Sequence, residues 1–223
     1  MDLTIDEISR LLRTTRSTVE QWVNTMGLPA VESGGERRCG SDELRRWLAA
    51  HKIAIPDELM TAGLHEQSPL PDFADALARG GIIHRLPGGD KNAVLAAAVK
   101  RLPLPDSIPG AMLLQRLLER EELASTGVGD GIAIPHPRDP LVQLPAPLVA
   151  LGFLEHPVDF AAVDGLPVYA MFIMASPTPK IHLHILARLF FLLRKPEFRG
   201  LINPETPDGL ILREARRMEK PLK

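Results

Sequence analysis

The sequence predicts a small, mainly helical domain followed by a larger α/β domain in which helices cover a sheet. With 223 residues, the chain is long for one domain and sufficient for two. Residues 53–72 contain three prolines and no sustained hydrophobic period, which is typical of a linker. Beyond residue 70, helical stretches alternate with apolar runs of five to nine β-favouring residues, and this alternation predicts an α/β fold. We therefore expect a first domain over 1–52, a linker over 53–69 and a second domain over 70–223.

Composition and charge narrow the class of protein. Apolar residues make up 45% of the chain and charged residues 24%, which is enough apolar material for a core and too much for a disordered chain. The formal charge of −2 gives no overall basic field, so a nucleic-acid role would need local placement of cations. The one cysteine, Cys39, cannot form an intramolecular disulfide, and no apolar run reaches the roughly 18 residues of a membrane span. We expect a cytoplasmic protein without membrane contact.

The first domain begins with two helices whose starts carry capping residues. In LTIDEISRLL, Thr4 and Glu7 have the spacing of a capping box. Thr15 or Ser17 can cap the second helix, STVEQWVNTM. The short break between the two helices predicts a tight turn.

A hairpin and a third helix complete the first domain. VESGGERRCG, residues 31–40, predicts a β-hairpin with two glycines at its tip. SDELRRWLAAH predicts a closing helix capped by Ser41 or Asp42. Two short helices, a hairpin and a helix give the order of a helix-turn-helix with a wing.

Polar and cationic side chains on the second helix and on the hairpin predict a DNA-binding face. A groove-reading helix presents such side chains to bases, and wing arginines reach phosphates. The predicted DNA-binding residues are Thr15, Arg16, Ser17, Thr18, Gln21, Arg37 and Arg38. The segments LTIDEISRLL, STVEQWV, GLPA, GGERR and ELRRWL resemble the excisionase-like, MerR-related DNA-binding domains over about 50 residues.

The charge count leaves a second interpretation of this domain open. Residues 1–57 contain eight Lys/Arg and nine Asp/Glu, so a DNA-binding face must segregate its cations, and its salt dependence should be weak. Cys39 also stands where the resembling family usually has an aromatic residue. The alternative is a small helical unit that mediates protein contacts.

The second domain alternates helices and strands. Helices are predicted over 91–102, 108–123 and 181–194, and strands over 81–86, 131–135, 148–154 and 167–175. The run GVGDG, residues 127–131, lacks the Lys-Ser/Thr pair of a P-loop and predicts a turn that leads into a strand. The tail EARRMEKPLK, residues 214–223, predicts a solvated helix end.

In GDGIAIPHPRDP, residues 129–140, a restricted backbone holds one imidazole. Pro135 and Pro137 fix φ on both sides of His136 and cannot donate to a sheet, so the strand must end here. If the pleat persists, the alternation of Ile132, Ile134 and His136 places the ring on the same side as the two isoleucines. A rigidly held imidazole at a strand end suits proton transfer, metal ligation or attack on phosphorus.

Two further residues favour phosphate chemistry. Arg120 ends an amphipathic helix, and His182 opens a later one in which Leu186 and Leu189 take inward positions. Two imidazoles and a guanidinium can form a phosphate pocket in which one ring attacks, the other donates a hydrogen bond and the arginine offsets charge. His182 and His184 face different sides of a helix, so a metal pair is not expected there. We predict no metal site.

The segments LLEREELASTGVGDGIAIPHPR, EHPVDFAAVDGLPV and HLHILARL closely resemble the mannitol/fructose-type IIA domain of the bacterial phosphotransferase system, with the nitrogen-regulatory branch nearest. The resemblance runs from about residue 68 to 202. It implies a mixed sheet flanked by helices and a phosphohistidine intermediate formed without a metal or an organic cofactor. By position, it implies that His136 is phosphorylated by the phosphocarrier protein HPr or its paralogue, that His182 is the second active-site histidine and that Arg120 lies near it.

This chain departs from the family pattern around the predicted site. Pro137 stands where glycine is usual and removes one backbone donor, and SPTPKIHLH brings Lys180 where an acidic approach is usual. A degenerate, sensor-only site is therefore an alternative to active phosphotransfer.

The two domains together predict a regulator that couples a phosphoryl group on His136 to DNA binding or transcription control. The expected partners are an HPr-type phosphocarrier, DNA, a regulated target protein and a second copy bound through the 181–193 helix. One alternative is a phosphotransfer relay whose first domain only docks proteins. Another is a IIA-like binder that regulates its target without phosphorylation.

Overall fold

The computed structural model describes residues 2–33, 35–56, 59 and 70–220, with the backbone alone at residue 33. The chain divides into two compact units, Met1–Pro69 and Leu70–Lys223. Each unit has its own hydrophobic core, so we describe them separately.

The first unit combines helices with a small antiparallel sheet. In chain order its elements are β1 (Asp2–Thr4), α1 (Ile5–Leu11), α2 (Arg16–Thr25), β2 (Val31–Ser33), β3 (Glu36–Gly40) and α3 (Ser41–Ala50). The strand order is β1-β3-β2, so the β2–β3 hairpin extends from the strand that pairs with the N-terminus. Ile8, Val19, Leu44 and Leu48 are fully buried and join the three helices into one core.

The predicted caps of α1 and α2 are confirmed. The Thr4 hydroxyl accepts from the backbone N–H of Glu7, and the Glu7 carboxylate accepts from the backbone N–H of Thr4, which completes a capping box. Thr15 caps α2 by accepting from the backbone N–H of Thr18.

The prediction that Ser41 or Asp42 caps α3 is wrong. The N-cap is Gly40, and no side chain caps this helix. Gly40 is still paired with Asp2 in the sheet, so β3 runs directly into α3 and Ser41 already lies in the first helical turn. A strand that leads without a loop into a helix leaves no residue between the two to act as a side-chain cap.

Part of the predicted linker contributes to the first core. Ile53 and Ile55 pack against the buried cluster, and Leu59 is fully buried. Residues 57, 58 and 60–69 of the predicted linker lie outside the described residues. The domain limits at 52 and 69 stay predictions.

The second unit is an α/β structure built on one sheet. Its strands are β4 (Ile82–Leu86), β5 (Gly127–Gly129), β6 (Ile132–Ala133), β7 (Leu148–Val158) and β8 (Val168–Ala175). Its helices are α4 (Phe73–Gly80), α5 (Lys91–Val99), α6 (Gly110–Leu123), α7 (Pro179–Leu193), α8 (Pro196–Arg199) and α9 (Asp208–Glu219).

The predicted mixed sheet flanked by helices is confirmed. The strand order is β4-β7-β8-β6-β5, with parallel pairing in β4–β7 and β6–β8 and antiparallel pairing in β7–β8 and β5–β6. Side chains alternate between the two faces of the sheet, as the period of a strand requires. Phe172 of β8 packs with α4, α7, α8 and α9, whereas Ile173 packs with α5 and α6. Both faces are therefore covered.

Several elements differ from the sequence prediction. The strand β6 has two residues only, because Pro135 has no N–H to donate to the ladder. Residues 127–129, predicted as part of a turn, form the edge strand β5. The helices α4 and α8 were not predicted, and of α9 only the end was expected, within the tail 214–223.

The prediction of a solvated helix end at the tail is wrong. Ala215, Met218 and Glu219 of α9 are buried. The Glu219 carboxylate accepts from the backbone N–H groups of Phe73 and Ala74. These two groups, at the start of α4, have no acceptor within the helix, and Glu219 supplies one. The cationic side chains of α9 lie on its other face, which explains why the sequence reads as a solvated helix.

The helix α7 is apolar on more than one side. Ile185, Leu189 and Leu192 are fully buried, while Leu183 and Phe190 remain 65% and 40% exposed. In the described part of the chain, no helix combines the length and apolarity that membrane crossing requires.

Candidate functional site

The segment that carries His136 is fixed on both sides by backbone hydrogen bonds. Ile134 N–H donates to the Thr126 carbonyl at 2.9 Å, and Met174 N–H donates to the Pro135 carbonyl at 2.9 Å. The segment thus continues the line of β6 between its two neighbours for two residues beyond the strand. His136 follows at the carboxyl end of β6, the edge of a parallel strand pair where α/β proteins place ligand sites.

The tautomer of His136 follows from one hydrogen bond. Its Nδ1 lies 2.7 Å from the Ile134 carbonyl oxygen, and a carbonyl can only accept. Nδ1 therefore carries the proton, and the lone pair of the neutral ring is on Nε2. The ring is half-buried, so an approaching group can reach it.

His182 lies beside His136 because of the way α7 begins. Thr178 caps the helix by accepting from Ile181 N–H, and Pro179 occupies its first turn. His182 sits in this first turn, and its ring centroid is 5.0 Å from that of His136, with the planes inclined at 42°. One strand and one helix that are distant in sequence thus bring the two imidazoles together.

Arg120 reaches the same place from the last turn of α6. Its Nη1 donates to the Ala124 carbonyl at 2.9 Å, which holds the half-exposed guanidinium near the helix end. Its positive charge helps to lower the pKa of both imidazoles, for which burial is the larger cause. The structure therefore brings together the three residues predicted for the second domain.

Burial keeps both rings neutral. Burial has the largest effect on the pKa of His136 and lowers it, and the positive charge of Arg120 lowers it further. The hydrogen bond to Ile134 and the negative charge of Glu121 act in the opposite direction and raise it. Burial, with the neighbouring His136 and Arg120, lowers the pKa of His182 to about 4. At neutral pH the site holds one fixed cation, Arg120, and two uncharged imidazoles.

Residues 77–211 match the family described as phosphoenolpyruvate-dependent sugar phosphotransferase system, EIIA 2. The chain belongs to this family. The match lies within the second unit.

Individual relatives support the nitrogen-regulatory branch. The nitrogen regulatory protein of Pseudomonas aeruginosa is 36% identical over 131 residues, which cover 57% of this chain and 83% of that protein. The crystal structure of nitrogen regulatory protein IIA-Ntr from Neisseria meningitidis aligns with a TM-score of 0.56 and 27% identity, covering 64% of this chain and 97% of that chain. The Escherichia coli complex of IIAMTL with phosphorylated IIBMTL, at 17% identity and a TM-score of 0.51, covers 60% of this chain and 93% of that one and shows the fold.

One residue of this EIIA 2 unit, Glu121, was missed by the sequence analysis. Its carboxylate is buried and accepts from both the backbone N–H and the hydroxyl of Thr126, at 3.0 and 2.6 Å. The signal was present in the sequence: Leu113, Leu117 and Glu121 follow each other at spacings of four, and all three are buried on one face of α6. An acidic residue in an inward position of an amphipathic helix indicates a specific polar partner.

Two other histidines of the EIIA 2 unit have ordinary partners. His184 Nε2 accepts from Arg188 Nε at 2.9 Å, and His84 Nε2 lies 2.8 Å from an Asp208 carboxylate oxygen. Among the described residues, no group of three or more His, Cys, Asp or Glu side chains is arranged to hold a metal ion.

In the first unit, several predicted DNA contacts already have partners within the protein. The Arg16 guanidinium pairs with Asp6 and with Glu20, each at 2.9 Å. Arg37 donates to the Asn24 amide oxygen at 2.8 Å. These contacts line a groove of about 340 Å³ between α2 and the hairpin.

The other predicted DNA contacts differ in availability. Thr15 uses its hydroxyl to cap α2, and Arg38 lies 3.6 Å from Glu36. Ser17 and Gln21 are exposed on α2, and Thr18 is half-buried. Of the seven predicted residues, Arg16 and Arg37 line this groove, and the charge of Arg16 is balanced by two carboxylates.

Proposed function

We propose that this chain accepts a phosphoryl group on Nε2 of His136. The observation that carries the proposal is the hydrogen bond from His136 Nδ1 to the Ile134 carbonyl. It fixes the proton on Nδ1 and leaves the nucleophilic lone pair on Nε2, the nitrogen that is not tied to the backbone.

The transfer is a displacement at phosphorus. The Nε2 lone pair forms a new N–P bond while the bond between phosphorus and the donor breaks, and its electron pair returns to the donor. The His136 ring keeps its Nδ1 proton and becomes positively charged, and the Ile134 carbonyl stabilises this charge. Protonation of Nε2 would abolish the lone pair, so a lowered pKa favours the reactive form at neutral pH.

Arg120 and His182 have different roles in this proposal. The Arg120 guanidinium offsets negative charge on the phosphoryl oxygens. His182, neutral because of its pKa of about 4, offers a ring N–H as an uncharged hydrogen-bond donor. An active pocket is favoured over the sensor-only alternative because all three side chains converge although Pro137 replaces the usual glycine.

The donor we propose is a phosphocarrier of the HPr type. The Escherichia coli relative is solved in a complex of IIAMTL with phosphorylated IIBMTL, so this fold is able to engage a phosphorylated protein. A protein donor also suits a half-buried ring at the carboxyl end of β6, since a protein donor does not require an enclosed substrate cavity around the imidazole.

Intact mass spectrometry tests the phosphoacceptor. Incubation with phosphoenolpyruvate, the first enzyme of the system and a phosphocarrier should add about 80 Da, one phosphoryl group. The His136→Ala variant should show no gain, whereas His156→Ala, which removes an exposed histidine on β7, should behave like the parent chain. A gain of equal size in His136→Ala would overturn the assignment.

We propose a winged helix-turn-helix role for the first unit, with DNA as its ligand. The support is the order of its elements and the exposure of Ser17, Gln21 and Arg37. Asp6 and Glu20 compete with phosphates for Arg16, so binding to the parent chain should be weak and should strengthen when they are neutralised.

Fluorescence anisotropy with a labelled duplex of mixed sequence tests the DNA role. We expect Asp6→Asn/Glu20→Gln to bind several-fold more tightly and Arg37→Ala to bind more weakly. Arg46→Ala is the matched control, since Arg46 is an exposed arginine on α3. Absence of duplex binding at low salt, or equal losses in Arg37→Ala and Arg46→Ala, would favour the protein-docking alternative.

Coupling between the units is the last part of the proposal. Phosphorylation adds up to two negative charges at His136, and a regulator should bind DNA or its target protein differently afterwards. If target binding is the same in the parent chain and in His136→Ala, with or without phosphorylation, the phosphorylation-independent alternative holds.

A further inference from the structure

A buried carboxylate lies one residue after Arg120. Glu121 is 3% exposed, and the nearest cation in contact with it, Lys91 Nζ, is 3.9 Å from its Oε1. Oε1 has no hydrogen-bond partner among the described residues. A buried charge with one loosely placed cation destabilises a fold, so its presence here suggests a role other than stability.

The other oxygen of Glu121 begins a continuous chain of hydrogen bonds that ends on His136. Oε2 accepts from the backbone N–H and the hydroxyl of Thr126. The Thr126 carbonyl accepts from Ile134 N–H at 2.9 Å, and the Ile134 carbonyl accepts from His136 Nδ1 at 2.7 Å. Each link fixes the backbone group that makes the next link.

Arg120 and Glu121 act on His136 with opposite sign. Consecutive residues on a helix point about 100° apart, so Arg120 faces the open side while Glu121 faces the interior. The only other titratable group in ring contact with His136 among the described residues is His182, which is neutral. When Nε2 gains a phosphoryl group the ring becomes cationic, and the fixed negative charge of Glu121 stabilises that cation.

We propose that Glu121 is a positioning residue for His136: through Thr126 and Ile134 its carboxylate holds Nδ1 as the protonated nitrogen and supports the positive charge that the ring acquires. The inference deepens the proposed phosphoacceptor role, and the expected change in the rate of phosphoryl acceptance rests on that role. The expected change in the pKa and tautomer of the unphosphorylated His136 ring does not depend on that role.

The substitution Glu121→Gln tests this role. It keeps the side-chain volume and an acceptor oxygen for Thr126 but removes the charge. In nitrogen-detected NMR of the full-length chain, we expect the pKa of His136 to fall, since a negative charge that favours the protonated ring is lost. We also expect phosphoryl acceptance at neutral pH to slow by about tenfold.

Two control variants separate positioning from stability. Glu219→Gln neutralises another fully buried carboxylate that accepts two backbone N–H bonds in the same unit, so it should destabilise the fold and leave the His136 pKa unchanged. Glu122→Gln makes the same change in charge at the exposed neighbouring position, and it should change neither the stability of the fold nor the His136 pKa. Equal His136 pKa values in Glu121→Gln and Glu219→Gln would overturn the proposal.

A second variant covers the case in which Glu121→Gln does not fold. Thr126→Val keeps the shape and the backbone N–H but removes the hydroxyl link, and we expect the Nδ1–H form of His136 to lose population in the NMR spectrum. An unchanged tautomer in Thr126→Val would contradict the chain of positioning. If the parent chain takes up no phosphoryl group but the His136 pKa still responds to Glu121→Gln, the proposed function fails and the positioning role stands.

Discussion

At the scale of the residue, the site depends on two imidazoles whose environments make them different. His136 has its Nδ1 bound to a carbonyl and a pKa moved in both directions by its neighbours. His182 has a pKa of about 4, lowered by burial and by the neighbouring His136 and Arg120. At neutral pH both rings are uncharged: His136 has a free lone pair on Nε2, and His182 remains uncharged beside it.

Stability of the second unit should fall between pH 6.5 and pH 4 because of His182. In this range the unfolded chain binds a proton at an ordinary imidazole, of pKa 6.5, that the folded chain with its pKa of about 4 excludes. Stability is thus fully present above pH 6.5 and lost as pH falls, by about 1–2 kcal/mol after discounting for the part exposure of the ring.

Urea denaturation at pH 7 and pH 4.5, compared between the parent chain and His182→Gln, measures this contribution. Groups outside the site titrate equally in both proteins, so the difference measures the contribution of His182 together with its coupling to His136. The loss on acidification should be smaller in His182→Gln. Identical losses in the two proteins would contradict the depressed pKa.

At the scale of the element, close packing between α4 and β7 depends on one glycine. A Cβ placed on Gly80, the last residue of α4, would collide with the backbone of Val149 and Ala150, including Ala150 N at 2.9 Å. Backbone atoms in a central strand cannot move aside. By contrast, a Cβ on Gly209 of α9 would meet nothing within 4 Å.

The two glycines therefore predict opposite effects of the same substitution. Gly80→Ala should destabilise the second unit by about 2 kcal/mol or more, because it forces α4 away from the sheet. Gly209→Ala should stabilise it by about 0.5 kcal/mol, because alanine loses less conformational entropy in a helix. Denaturation followed by far-UV circular dichroism measures both, and a destabilised Gly209→Ala or a neutral Gly80→Ala would contradict this account.

At the scale of the whole molecule, the second unit contains every group of the proposed phosphoacceptor site. It has its own core on each face of the sheet, and a complete solved chain, the Neisseria meningitidis IIA-Ntr protein, aligns with 64% of this chain. A fragment spanning 70–223 should therefore fold alone and accept a phosphoryl group at a rate within about threefold of the full chain.

Two measurements check the fragment. Circular dichroism reports whether it folds, and mass spectrometry with the phosphocarrier system reports the phosphoryl group. Both tryptophans, Trp22 and Trp47, lie in the first unit, so tryptophan emission in the full chain reports that unit alone and gives an independent control of its folding. A folded fragment that no longer accepts phosphoryl would show that the first unit is required for the reaction.

The sequence predicted those parts of the structure that depend on local rules. Thr4, Glu7 and Thr15 cap helices as their spacing indicated, because a cap forms between residues three positions apart. Pro135 ended β6 because proline cannot donate to a ladder. Local rules failed at Gly40, where a strand runs straight into a helix, and in α9, where cationic residues hide a buried face.

By itself, the sequence determined the fold class of the second unit, its family and the identity of His136, Arg120 and His182 as candidates, since periodicity and the GIAIPHP segment are local features. Only the tertiary structure decided which nitrogen of His136 carries the proton and that Glu121 lies behind it. It also decided that Asp6 and Glu20 occupy Arg16. The physical reason is that tautomer and charge balance depend on distances between groups far apart in the chain, and these distances exist only once the strands and helices have packed.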